Sequence, residues 1–168
     1  FGVYEIPWLL AQLSTIFVFL VIVNAINFID GIDGLAITEV IKVIFFIEFI
    51  SSSKTSLSSM SLIVVFSMLP LYYFNFKKKR KVFLGDAGSL LLGTLLAIYV
   101  FHILNDKFAF GPDWTINKTL FSVLILLYPL VDLLRVFIIR IKNGKSPFHP
   151  DNNHIHHRLT KLFGNTKK

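Results

Sequence analysis

The sequence predicts an all-α fold: a polytopic bundle of transmembrane helices, with about five spans in a single domain over residues 1–168. Three observations predict it. Apolar residues make up 54% of the chain and charged residues only 16%, where ordinary soluble domains carry about 25% charged residues. The apolar residues gather in five runs, each close to the roughly 20 residues that cross a bilayer core as a helix. Basic residues concentrate in the loops of one parity, thirteen of 17 against three on the other side, as positive-inside topology requires. The same composition excludes a disordered or low-complexity chain. The absence of cysteine excludes a disulfide framework, a thiolate nucleophile and any cysteine-ligated metal.

The first span covers about residues 8–25, built on the run Trp8 to Val23. The second covers about 33–51, on Leu35 to Ile50, and is the weakest because it holds Glu39, Lys42 and Glu48. Glu39 and Lys42 stand one turn apart and can pair, and charge at membrane depth faces a bundle interior or an aqueous cleft. The third covers about 59–76, on Met60 to Phe76, and the fourth about 88–104, on Ser89 to Leu104. The fifth covers about 119–141, on Leu120 to Ile141, ahead of a cytoplasmic tail over 142–168. Helices are the open-chain solution in lipid because every backbone polar group must be satisfied internally. A soluble bundle would show polar stripes at helical period, whereas SLIVVFSMLPLYYFNF is apolar nearly all round. Pro70 and Pro129 fall inside spans and predict kinks. The Ser-rich loop 51–59 reads as a flexible linker without chemistry. Trp8, Tyr72, Tyr73 and Trp114 fall where interfacial belt residues belong. Asp132 and Arg135, one turn apart, read first as a structural ion pair and second as a pair lining a site. His102, near the outer end, and His149, just before the last polar cluster, are assigned no role.

Charge placement orients the bundle. Of 17 basic residues, five lie in Lys77 to Lys81 and eight between Arg135 and Lys168, while the loops of opposite parity hold only Lys54, Lys107 and Lys118. The rich side is cytoplasmic. The N-terminus is then outside, residues 24–34 inside, 51–59 outside, 77–88 inside, 105–118 outside and 142–168 inside. Between two spans, KKKRK is a topology anchor rather than a nucleic-acid patch, and it also attracts anionic lipid or a polyanionic substrate.

Three polar clusters remain once the spans are set aside, and all fall on the predicted cytoplasmic side. The first is NAINFIDGIDG over residues 24–34. Asn24, Asn27 and Asp30 recur every three residues, with Asp33 as a fourth, which sets them roughly on one helical face. Burying that many polar groups at a span end costs energy unless they bind something. Gly31 and Gly34 permit a tight turn. The plainer reading is an Asx-rich turn in which Asp33 caps the second helix, and both can hold at once. The second cluster, VFLGDAGS over residues 82–89, sets Asp86 between glycines ahead of an apolar helix. Backbone N–H groups at a helix N-terminus favour anions, and Mg²⁺ is the natural mediator between a carboxylate and a phosphate. Phe83 suits stacking on a flat base. The plainer reading makes Asp86 and Ser89 helix caps and Phe83 an interface anchor. The third cluster, DNNHIHHR over residues 151–158, gathers His154, His156, His157 and Arg158. From a loop or helix start the histidines converge, either on zinc in an open site or, with Arg158, on a pyrophosphate. Asp151 is spaced to fix the tautomer of His154. The plainest reading is a surface loop.

The strings NAINFIDGIDGLA, KVFLGDAGSLLLG and SPFHPDNNHIHHRL, in that order, resemble the polyprenyl-phosphate N-acetylhexosamine-1-phosphate transferases of glycosyltransferase family 4. The likeness covers essentially the whole chain. The D-G-I-D-G form resembles bacterial members, and H-I-H-H is more similar to the branch using UDP-N-acetylglucosamine or a related sugar. The resemblance implies an enzyme of the bacterial cytoplasmic membrane, with its site on the cytoplasmic face, that starts cell-envelope glycan synthesis. It would transfer N-acetylhexosamine 1-phosphate from a UDP-sugar to a polyprenyl phosphate such as undecaprenyl phosphate, releasing UMP. By resemblance, Asp86, Asp30, Asp33 and His154 are catalytic. Asn24, Asn27, Phe83, His156, His157 and Arg158 bind substrate. Asp86 and Asn27 hold Mg²⁺, with Mn²⁺ as an alternative. The implied partners are the UDP-N-acetylhexosamine, the polyprenyl phosphate, the bilayer and a second copy of the chain as a homodimer, with no nucleic acid.

The chain departs from that family in one respect. Members carry adjacent aspartates in an earlier cytoplasmic loop, and this sequence has no Asp-Asp. Members also carry further spans on either side, so both ends are expected to be missing here and the 168 residues are expected to be inactive alone. Two alternatives stand beside the transferase: a non-enzymatic degenerate paralogue that binds nucleotide-sugar or a partner, and a zinc-dependent membrane hydrolase built on the histidine string.

Overall fold

The computed structural model describes residues 7–31, 33–53, 55–77, 82, 84–144 and 146, and what it describes is helical. The order is α1 (Trp8–Ile29), α2 (Leu35–Ile50), α3 (Ser58–Asn75), α4 (Gly85–Leu104), α5 (Lys118–Ile125) and α6 (Leu127–Lys142). Extended pairing among the described residues is limited to an isolated antiparallel bridge between Ser51 and Phe110. The five apolar runs thus become helices, and the fifth is divided in two.

The core lies where α1, α2 and α4 meet. Ile22, Ile26 and Ile29 of α1, Val40, Val43, Ile44 and Ile47 of α2, and Leu92, Leu96, Val100 and Ile103 of α4 are all buried. Their three- and four-residue spacing is the stripe that packs helix against helix. Helices α1 and α4 approach closely. A Cβ at Gly93 would lie 2.8 Å from the Cα of Val23, so glycine there lets the two backbones nearly touch. The rest of α1 and most of α3 expose large apolar side chains such as Trp8, Leu13, Ile63 and Phe66, the pattern of a surface facing lipid.

Three helices, α1, α3 and α4, are long and apolar enough to cross a membrane, and α5 with α6 makes a fourth if counted as one broken span. The expected count of five is approximate because of α2. It has 16 residues, about 24 Å at 1.5 Å per residue, and it carries three charged groups. Protein rather than lipid compensates them. Glu39, buried on α2, is bonded by Lys42 one turn on, as its spacing predicts. Glu48 accepts hydrogen bonds from Thr55 Oγ1 at 2.8 Å, Ser58 Oγ at 2.8 Å and Ser61 Oγ at 2.6 Å.

The bonds from Thr55 and Ser58 correct the reading of the Ser-rich loop as a linker without chemistry. These hydroxyls solvate a span-end carboxylate, and Ser61, further along α3, also shares a 2.7 Å hydrogen bond with Tyr99 OH of α4. Beside it, Gly111 N–H donates to Ile50 O at 2.8 Å and Ser52 N–H to Ala109 O at 3.1 Å. His102 sits edge-on to Phe108 in the same region, with centroids 5.6 Å apart.

The fifth run bends by 66° between α5 and α6. Pro129 accounts for it: having no N–H, it leaves the carbonyl of Ile125 without its helical donor. The helix resumes with Leu130 N–H donating to Leu126 O at 3.1 Å. Pro70, by contrast, lies inside α3, which runs on through it. Asp132 and Arg135 form the expected pair at 3.4 Å on α6.

Alternating helix directions give the bundle two distinct ends. The loop pairing of Ser51 with Phe110 marks one end. At the other, Gly34, Asn75 and Val82 are joined by hydrogen bonds. The first two polar clusters belong to that second end.

Candidate functional site

The site is built at the junction of α1 and α4. Asn27, in the last turn of α1, donates from Nδ2 to Ser89 Oγ at 2.8 Å. Ser89 is fully buried, and its hydroxyl proton faces Gly85 O at 3.1 Å and Asp86 O at 3.2 Å. One side chain of the first motif is thereby fixed to the first turn of α4, which carries Asp86. Asp30 follows as the residue closing α1. Burial first, and repulsion from Asp86 second, push its carboxyl up from 3.8 to about 6. Two carboxylates and a carboxamide from strings far apart in sequence therefore share one small region.

Local geometry explains the two turns. Gly34, at φ 71°, is the left-handed residue that ends the first loop and opens α2. Its Cβ position is filled by the Phe76 ring, 2.3 Å away, so glycine alone fits. The capping readings are corrected here. Gly34, not Asp33, occupies the N-cap of α2, and no side chain caps it. Leu84 occupies that of α4, again without a side-chain cap, and Ser89 bonds back to carbonyls of its own turn instead.

Asp33, in the loop that follows α1, is exposed. Asn24 is exposed and donates to Leu20 O of its own helix at 2.7 Å, since successive steps of three drift around a 3.6-residue helix. Phe83, His154, His156, His157 and Arg158 lie outside the described residues, as do Asp151 and His149.

Two polar residues at this end escaped the sequence reading. Asn75 is buried at the last residue of α3 and bonded on both sides of its carboxamide. Arg140 is buried on α6 with its guanidinium 5.1 Å from the centre of the Phe28 ring, and Phe28 in turn meets Phe137 edge-on at 6.3 Å. In the sequence Arg140 counts only as one of the eight basic residues between Arg135 and Lys168. The available signal in both was a lone polar residue ending an apolar run.

The donors suit a hard cation. No group of three or more His, Cys, Asp or Glu side chains that could hold a metal occurs among the described residues. Asp30, Asp86 and the oxygen of Asn27, whose nitrogen is committed to Ser89, are all oxygen donors, the set that Mg²⁺ or Mn²⁺ accepts and zinc does not favour. The repulsion that Asp30 feels from Asp86 leaves a place that positive charge would relieve.

Comparison with known proteins gives the same two motifs a context. Residues 1–104 match the family model described as glycosyl transferase family 4. The undecaprenyl-phosphate alpha-N-acetylglucosaminyl 1-phosphate transferase of Pasteurella multocida (strain Pm70) is 33% identical over 104 residues, 59% of this chain and 27% of the relative. The decaprenyl-phosphate N-acetylglucosaminephosphotransferase of Mycobacterium leprae (strain TN) is 32% identical over 108 residues, 61% of this chain and 27% of the relative. The probable undecaprenyl-phosphate N-acetylglucosaminyl 1-phosphate transferase of Bacillus subtilis (strain 168) is 34% identical over 100 residues, 60% of this chain and 26% of the relative. The chain thus spans about a quarter of the length of these curated relatives. No solved structure matches it. The family match takes in the first two motif strings and ends before the histidine string.

Proposed function

The chain belongs to glycosyl transferase family 4, and from that premise we propose that the protein transfers N-acetylhexosamine 1-phosphate from a UDP-sugar to a polyprenyl phosphate in the bacterial cytoplasmic membrane. In this reaction an oxygen of the lipid phosphate forms a bond to the β-phosphorus of the UDP-sugar. The bond from that phosphorus to the bridging oxygen breaks, and UMP leaves with the electron pair. The product keeps the sugar on a lipid-linked pyrophosphate. Such transfers need positioning and charge neutralisation more than covalent help from the protein.

The roles divide by motif. Asp86 and the Asn27 oxygen would hold Mg²⁺, with Mn²⁺ as a substitute; the cation when bound supplies charge neutralisation for the diphosphate. Ser89 fixes Asn27 and the Asp86 turn to one another. Asp30 and Asp33 order the first loop and, with Asn24, hold the nucleotide. Phe83 stacks on uracil, and His154, His156, His157 and Arg158 hold the diphosphate and sugar. The basic loops set this end on the cytoplasmic side, where a soluble nucleotide meets a lipid phosphate.

The observation that carries the reading is the join between motifs: the Asn27–Ser89 hydrogen bond together with the repulsion between Asp30 and Asp86. Asp86→Asn, made in the whole membrane protein, tests it. Asp86 is exposed in the first turn of α4, so the fold should survive. Mg²⁺-dependent UMP release should fall by roughly 10²–10³-fold, the scale for loss of one electrostatic group. Near-normal release with correctly folded protein would refute the assigned role.

A further inference from the structure

Asn75 has no part in the chemistry above, yet it touches both loops that carry it. Its carboxamide oxygen accepts from Gly34 N–H at 2.6 Å. Its nitrogen donates to Val82 O at 2.8 Å. Gly34 closes the loop of Asp30 and Asp33, and Val82 opens the string that leads to Asp86. We propose that Asn75 is a positioning residue: one buried carboxamide that sets the register between the two loops, acting through the Gly34 N–H and the Val82 carbonyl. The inference rests on the transferase reading for its functional consequence, and on geometry alone for the tie itself.

The chemistry of the position narrows to an amide. One branch of the side chain must accept and the other must donate, and the reverse orientation would set donor against donor and oxygen against oxygen. The residue is 3% exposed, so a polar group there is costly unless both bonds are made. It is not a helix cap. Asn75 is the last residue of α3, the C-cap is Phe76, and both of its bonds leave the helix. The strand of chain beyond it is turned back by the carbonyl of Phe74, which accepts from Lys77 N–H at 3.3 Å and Val82 N–H at 3.4 Å. On the other side, Gly34 is pinned between its left-handed backbone and the Phe76 ring, itself 4.8 Å from Tyr72. Asn75 therefore joins two segments, at sequence separations of 41 residues in one bond and seven in the other.

The test compares two variants of the whole protein in membranes or detergent. Asn75→Asp keeps an acceptor for Gly34 N–H and loses the donor to Val82. Asn75→Leu loses both. Hydrogen exchange, measured without substrate or metal, should show the Val82 N–H, which donates to Phe74 O, exchanging about tenfold faster in the Asp variant while the Gly34 N–H in the first loop keeps its protection, the loss of one buried bond being worth about that factor. The Leu variant should release both N–H groups. With UDP-sugar, lipid phosphate and Mg²⁺, the Asp variant should need about tenfold more Mg²⁺ for half-maximal rate, at a nearly unchanged KM for UDP-sugar. The Leu variant should lose about a hundredfold in kcat/KM, as a displacement of about 1 Å does at an active site, with both KM and the Mg²⁺ midpoint raised. A merely structural asparagine would lower the amount of active protein and leave KM and the Mg²⁺ midpoint of the remainder unchanged in both variants; that result overturns the proposal, as does equal loss of protection at the two N–H groups of the Asp variant. Failure of the transferase reading looks different: Asp86→Asn would release UMP normally while the exchange split in Asn75→Asp persisted.

Discussion

Asp30 is a carboxyl whose surroundings favour its proton. Burial and Asp86 raise it from 3.8 to about 6, so the folded chain binds that proton more tightly than the unfolded chain does. The contribution to stability is then complete below the unfolded value and is lost as pH rises through about 6. The ligand-free protein should show a melting temperature that falls between about pH 4 and 6, and Asp30→Asn should flatten that part of the profile. An unaltered slope in the variant would remove Asp30 as its source. Gly34 makes a second case at this scale. Gly34→Ala must hold a side chain at φ 71° and displace the Phe76 ring from 2.3 Å. The left-handed backbone alone costs about 1–2 kcal/mol, so unfolding by denaturant should show at least that loss. Adding Phe76→Ala should recover the steric part and leave the backbone part.

At the scale of elements, the broken fifth span is the clearest consequence of a single residue. Restoring an N–H with Pro129→Ala gives the Ile125 carbonyl its donor and should straighten α5 onto α6. At 1.5 Å per residue, two limbs of 8 and 16 residues meeting at a 66° bend lengthen by about 5 Å when straightened. The chain has no cysteine, so spin labels at Lys118 and Ile141 can read that distance directly, and an unchanged distance would move the cause of the bend away from Pro129. A kink here was legible in the sequence as a proline inside an apolar run, although Pro70 carries the same signal and α3 runs on through it; the five apolar runs were legible because hydropathy and helical period are local signals. The charges of α2 were legible only in part. Glu39 and Lys42 are neighbours on one helix, whereas Glu48 finds its hydroxyl partners in a loop that composition alone describes as a linker and at the start of α3. The site divides the same way. Asn27, Asp30 and Asp86 stand in strings whose local pattern announces them. Asn75, Arg140 and the Asn27–Ser89 bond depend on which helices lie side by side, and no window of sequence carries that.

The whole molecule adds what neither residues nor helices contain: two ends of different chemistry. One end joins Glu48 to serine and threonine hydroxyls and closes the Ser51–Phe110 bridge. The other joins Asn27 to Ser89 and Gly34 to Asn75. Helix alternation separates the ends whatever the orientation, while the proposed orientation rests on the five basic residues from Lys77 to Lys81, a charge run that favours the cytoplasmic side. A chain free of cysteine makes that orientation measurable. Ser56 is exposed at the first end and Ala87 at the second, and neither takes part in a bond of the site. With a maleimide that does not cross membranes, Ser56→Cys should label in intact cells, and Ala87→Cys only after the membrane is opened. Opposite labelling would leave every contact described here intact and still defeat the proposed reaction, because a soluble nucleotide donor made in the cytoplasm could not reach the carboxylates that are meant to receive it.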